Sequence, residues 1–117
     1  MIEGNHKTGN LSQAMDHAKQ LMAQNPDQAL LQLTEILDSV PDYPPALLLN
    51  ATGLREVGKA ESALDLVAPL VEKEPSWPEL QFEYALILTA LQRGQAAMSA
   101  LERVVALAPD HPEAWRL

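Results

Sequence analysis

The sequence predicts an all-α solenoid of three helical hairpins and the start of a fourth. Three observations predict it. Pro41, Pro75 and Pro109 stand 34 residues apart, and Pro44, Pro78 and Pro112 repeat the same step. Between these marks, apolar residues recur at intervals of three and four, the spacing of amphipathic helices. Ala29, Ala63 and Ala97 each precede one of the first three prolines by 12 residues, so the repeat holds inside each unit as well. A fixed period of this size marks stacked copies of one supersecondary unit, each burying its apolar face on the next.

The elements follow in order. A helix over about 11–24 carries Leu11, Ala14, Met15, Ala18, Leu21 and Met22, and Asn25-Pro26-Asp27 then breaks the chain. A second helix runs to Ser39 with Ala29, Leu30, Leu33, Ile36 and Leu37. Residues 44–57 form the third, with Leu47, Leu48, Ala51, Leu54 and Val57, and Gly58 stops it because glycine takes the left-handed conformation without a Cβ penalty. Residues 60–73 form the fourth, and Pro69 inside it removes the bond to the carbonyl of Asp65 and is expected to bend it. The fifth starts at Pro78, where a missing N–H costs nothing, and carries Leu80, Tyr84, Ala85, Leu88 and Leu91. Arg93-Gly94 is read as the next turn, and Ala97, Leu101, Val104, Val105 and Ala108 form the sixth helix. The domain plan is a flexible N-terminus at 1–9 and a repeat domain at 10–117, with units at about 10–41, 42–75 and 76–109 and a truncated fourth at 110–117.

Composition narrows the function. Among 117 residues, 47% are hydrophobic but only 4% aromatic, which gives a core of Ala, Leu and Val. Eight basic residues against sixteen acidic ones leave a net charge of −8, a field that repels phosphate, so nucleic acid and anionic membrane are poor partners. The absence of cysteine excludes disulfides, thiol nucleophiles and zinc–thiolate sites. No apolar leader and no membrane-length apolar run stand in the sequence, which reads as cytoplasmic.

The middle unit reads Leu47-x2-Asn50-Ala51-x2-Leu54, then Ala63-x3-Val67, then Pro75. The third reads Gln81-x2-Tyr84-Ala85-x2-Leu88, Ala97-x3-Leu101, Pro109, and the first keeps its second half, Ala29-x3-Leu33 and Pro41. This pattern resembles the tetratricopeptide repeat, Trp-x2-Leu-Gly-x2-Tyr, Ala-x3-Phe, Pro, over roughly residues 10–117. The resemblance implies a right-handed superhelix. Asn50 and Gln81 depart from it by placing polar side chains at apolar positions, where looser or water-bridged packing is expected. Pro112-Glu113-Ala114-Trp115 is similar to the opening of a further repeat, with Trp115 in the tryptophan place. The pattern stops at Leu117, which predicts a piece of a longer protein.

Several candidate sites reduce to structure. Gly53-Leu54-Arg55-Glu56-Val57-Gly58-Lys59-Ala60 spells most of a phosphate-binding loop, but Ala60 replaces the Ser or Thr that binds magnesium and the segment continues a helix. Asn10-Leu11-Ser12 and Asn50-Ala51-Thr52 are formal glycosylation sequons in a chain without a secretion signal. His6, His17 and His111 lack a ligand-pair spacing, and no carboxylate pair has the apolar setting of an acid–base couple. No cofactor, metal or catalytic residue is predicted.

Two surfaces are candidates for binding. Tyr43, Trp77 and His111 occupy one repeat position just before a proline, either as an edge ladder that touches a ligand or as rings that cover the neighbouring helix end. The tetratricopeptide resemblance implies a concave groove lined by the first helix of each hairpin. Its positions fall near Met15, Lys19 and Met22, then Leu48, Thr52, Arg55 and Glu56, then Glu79, Phe82, Leu86 and Thr89. Leu48, Phe82 and Leu86 either meet a partner or contact each other across the groove. Family members that grip chaperone C-termini use Lys, Arg and Asn there, and with only Lys19 and Arg55 such a carboxylate clamp is not expected.

The expected function is therefore a non-catalytic protein-interaction scaffold that holds a peptide or helix in the groove, with Phe82 and Leu86 as anchors. An alternative comes from Leu64-Asp65-Leu66-Val67-Ala68-Pro69-Leu70, Trp77 and Glu83-Tyr84-Ala85-Leu86. These resemble the N-terminal repeats of bacterial tetratricopeptide-containing sulfotransferases, which implies a repeat segment preceding a catalytic domain that lies outside this chain. A homodimer through the open C-terminal end, by way of Trp115 and Leu117, is a further expectation.

Overall fold

The structure is a computed structural model that describes residues 9–108. Within them the chain forms α1 (Gly9–Gln24), α2 (Pro26–Ser39), α3 (Pro44–Glu56), α4 (Ala60–Lys73), α5 (Pro78–Ala90) and α6 (Gly94–Leu107). Trp115, Leu117, His111 and the start of the fourth unit lie outside the described residues.

The proline ruler works through helix ends. Val40, Glu74 and Ala108 close α2, α4 and α6, and their N–H groups donate to Ile36, Leu70 and Val104 at 2.8 Å each. A proline follows each of these caps in the sequence and prevents another helical turn. Pro26, Pro44 and Pro78 then sit at the first position of the next helix, with φ already set for it. Asn25 alone separates α1 from α2, and its Oδ1 accepts from the N–H of Gln28 at 3.3 Å as an N-cap.

The other two hairpins turn differently. After α3, the N–H of Gly58 donates to Arg55 O at 3.1 Å and that of Lys59 to Leu54 O at 2.7 Å. After α5, Gln92 donates to Thr89 O at 2.9 Å and Arg93 to Leu88 O at 2.8 Å. Both are Schellman closures, which need a left-handed residue, and Gly58 (φ 87°) and Gln92 (φ 62°) supply it. The sequence reading placed this turn at Arg93-Gly94. The left-handed residue is instead Gln92, one full period after Gly58, and Gly94 opens α6. Pro69 does not end α4, which continues to Lys73 with the ring exposed.

Successive first helices touch, α1 against α3 and α3 against α5, while α2 and α4 each pack between their own first helix and the next one and α6 packs on α5. The result is a stack of 50 × 27 × 24 Å with its first helices in one continuous layer. Gly53 makes that layer close. A Cβ there would lie 2.8 Å from both Met22 Cε and Leu30 Cδ2, so α3 approaches the first hairpin through a missing side chain. One cluster gathers Met15, Met22, Leu33 and Ile36 in the first hairpin, and a second gathers Val67, Leu70, Leu80 and Ile87 between the second and third.

Gln81, expected to loosen its interface, is fully buried and serves as a tie. Its Nε2 donates to the carbonyl of Pro75 at 3.0 Å, joining α5 to the loop before it. Its Oε1 has no hydrogen-bond partner among the described residues.

Two stability measurements check these assignments in urea unfolding. Gly58→Ala should destabilise by about 1 kcal/mol, whereas Gln92→Gly should stabilise by about 0.5 kcal/mol, because only the first puts a Cβ on a left-handed residue. Equal losses in both would refute the shared turn geometry. Gln81→Leu, which removes an unpartnered amide oxygen at the price of one hydrogen bond, should be neutral or stabilise by up to about 1 kcal/mol.

Candidate functional site

The layer of first helices presents the surface on which α3 and α5 meet. Leu48, Thr52 and Arg55 lie four and three residues apart along α3, and Phe82, Leu86 and Thr89 repeat that spacing along α5. Each pair is one period apart, so the two triplets are the same three repeat positions in consecutive units. Leu48, Phe82 and Leu86 are half-buried, and Thr89 is exposed with its hydroxyl donating to Ala85 O at 2.8 Å. Leu48 packs on the second cluster.

A buried carboxylate that sequence reasoning missed organises this surface. Glu83 of α5 is 6% exposed. Its Oε2 accepts from Arg55 Nε at 2.6 Å, and its Oε1 accepts from Arg55 Nη2 at 3.3 Å and from the Thr52 hydroxyl at 2.8 Å. The Thr52 proton also has the carbonyl of Leu48 within 3.2 Å, and the shorter contact to the charged acceptor dominates. Arg55 thus presents a fork to one carboxylate in trans, from one repeat to the next. Glu83 was legible as an anomaly, since the previous unit has Leu49 at the same repeat position and α5 is apolar on almost every side.

The remaining predicted residues fall as follows. Glu56 and Glu79 are exposed on α3 and α5. Met15 and Met22, read as groove residues, are instead buried at 4% and 7% in the first cluster, and Lys19 is exposed. The 34-residue step places Met15 with Leu49 and Glu83 rather than with Leu48 and Phe82, but it places Met22 with the exposed Glu56. α1 joins α2 through Asn25 alone where the later hairpins use three residues, so the later register does not carry into α1. Tyr43 packs on the first cluster and Trp77 on the second, each at the residue just before its helix. The two rings join different clusters, and His111 lies outside the described residues. The loop-like segment from Gly53 to Ala60 is the end of α3, the Schellman turn and the start of α4. Thr52, in the second sequon, spends its hydroxyl on Glu83, and Ala51 before it is fully buried. Among the described residues no three His, Asp or Glu side chains converge as metal ligands, and no helix is long and apolar enough to cross a membrane.

The signature of the tetratricopeptide repeat matches residues 54–117, more than half of the chain. The chain belongs to the tetratricopeptide repeat family. Solved tetratricopeptide-like structures share its fold. The first TPR of Spaghetti (RPAP3), bound to the HSP90 peptide SRMEEVD, is 21% identical with a TM-score of 0.81, over 91% of this chain and 85% of that one. Two crystal structures of MamA follow. One is 14% identical with a TM-score of 0.77, over 91% of this chain and 63% of that one. The other is 20% identical with a TM-score of 0.73, over 90% and 58%. At these identities the likeness is one of fold. No curated protein sequence matches the chain.

Arg55→Ala strands the Glu83 carboxylate in a tetratricopeptide interface with no cation. Breaking a buried pair costs 3–5 kcal/mol, and the 23% exposure of the Arg55 side chain discounts this to about 2 kcal/mol. The double variant Arg55→Met with Glu83→Leu should recover most of that loss in the same unfolding assay. Independent, additive losses would show that the two side chains are not coupled.

Proposed function

We propose that this tetratricopeptide domain is a non-catalytic scaffold that holds a peptide or helix of a partner protein across α3 and α5. The observation that carries the reading is the pair of equivalent triplets. They set Leu48, Phe82 and Leu86, all half-buried, in the layer of first helices, where a second chain would complete their burial. Aromatic and large aliphatic anchors supply most of the energy at such interfaces, so Phe82 and Leu86 are the anchors and Leu48 extends their surface. Thr52, Arg55 and Glu83 are tied to one another in the same layer and serve as its floor, and Glu56 and Thr89 are exposed polar groups of α3 and α5.

The peptide in the Spaghetti (RPAP3) domain supports a segment of similar length as the partner. That peptide ends in Glu-Glu-Val-Asp, and the present site differs in one respect that bears on it. Arg55 is the single basic residue of α3 and α5, and its fork is already engaged by Glu83. The reading therefore takes from the neighbour the mode of binding and not the ligand.

Peptides selected from a displayed library on the immobilised chain supply a direct test. Phe82→Ala and Leu86→Ala should each weaken the selected peptides by about tenfold or more while far-ultraviolet helicity is kept. Unchanged affinity in both variants would remove the groove as the binding surface.

A further inference from the structure

We infer that the groove takes an apolar segment carrying lysine or arginine, and that the basic end lies over the proline-containing loops. This inference rests on the groove reading above and adds the chemistry and direction of its occupant.

The argument is one of charge at the two ends of the groove. α3 and α5 both start from a proline loop and both end in a Schellman turn, so they run parallel and give the groove two distinct ends. At the loop end stand Asp38, Asp42, Glu72, Glu74 and Glu79, all exposed, with Lys73 as the cation among them. At the turn end of the same two hairpins, Lys59 and Arg93 balance Glu56 and Glu61, all exposed as well. Between the ends, Arg55 and Glu83 cancel each other at 2.6 Å. The floor is thus neutral, one end is neutral and the other is strongly negative.

An acidic segment finds no uncommitted cation on α3 or α5 and meets repulsion at the loop end. A segment with apolar anchors and a basic terminus gains at both. The half-buried rings of Tyr43 and Trp77 stand at the loop end, packed on the two core clusters, and the neighbouring carboxylates are what attract a cation there. Exposed charges of this kind act chiefly on encounter rate and orientation, so the preference is expected to weaken as salt rises.

Two synthetic peptides test the inference against the full chain by fluorescence anisotropy. Both are amphipathic segments of about 16 residues with identical Leu and Phe anchors, one with three lysines at one terminus and one with three glutamates there. The lysine peptide should bind about tenfold or more tighter at low salt, and the gap should narrow at high salt. Glu74→Lys with Glu79→Lys should remove most of that gap. Asp65→Lys with Glu102→Lys, the same change in net charge at exposed positions in the middle of α4 and α6, should leave affinity for the lysine peptide within about twofold.

Equal binding of the two peptides, preference for the glutamate peptide, or failure of both to bind would overturn the inference. So would equal sensitivity to the two double variants, because it would reduce the preference to net charge. The groove reading is tested separately, since Phe82→Ala and Leu86→Ala should weaken any peptide that binds. Phe82-dependent binding without a charge preference would sink the inference and leave the groove intact.

Discussion

The inner layer depends on one constraint: the Glu83 carboxylate is inside the protein and must be compensated there. Three donors do so, the Nε and Nη2 of Arg55 and the hydroxyl of Thr52. Because both partners come from α3 and the acceptor from α5, the compensation exists only when the second and third hairpins are stacked in this register. A one-residue rotation of α5 would bring Phe82 or Tyr84 to the position of Glu83 and leave a carboxylate unpaired. Apolar stacking alone discriminates less well, since the repeat offers similar aliphatic side chains at every period. A buried pair of this type adds little net stability over an apolar substitute, so the contribution expected of it here is specificity of stacking.

This clarifies what the sequence can and cannot reveal. The helix ends were legible because each is a local device: a proline at the first helical position, a proline after the cap, a glycine in the left-handed position. The exception, the turn after α5, shows the limit of that reasoning. Gly94 was the local signal, yet Gln92 takes the left-handed conformation because hairpin geometry imposes the same closure one period after Gly58. The period was the better guide than the residue type.

The repeat positions of α3 and α5 were legible to the same extent. The 34-residue step correctly groups Leu48 with Phe82, Thr52 with Leu86 and Arg55 with Thr89. It fails for Met15 and Met22 because α1 meets α2 across one residue and the later hairpins turn across three, so α1 keeps a different register. Those methionines then prove to be core, and Met22 fills the space that Gly53 leaves open. What no local pattern reveals is which polar side chains find each other, since Arg55 and Glu83 lie 28 residues apart and in different units. The hint was a charged residue in a position that is leucine one unit earlier, on a helix with few other polar groups.

On the proposed reading, the positions that stack α3 on α5 also bear on what the surface would recognise. In the second unit they are Leu48, Thr52 and Arg55, and in the third Phe82, Leu86 and Thr89. The polar half of the second triplet is consumed in holding the third hairpin, and the third triplet is itself mostly apolar. The floor therefore loses its one cation to stacking specificity before any partner arrives. Charge selection is left to the ends, where exposed carboxylates crowd the proline loops and the Schellman turns are balanced. On the proposed reading, the side chain that ties the second hairpin to the third is also the one cation of this surface: had Arg55 been free, the same surface would favour an acidic segment.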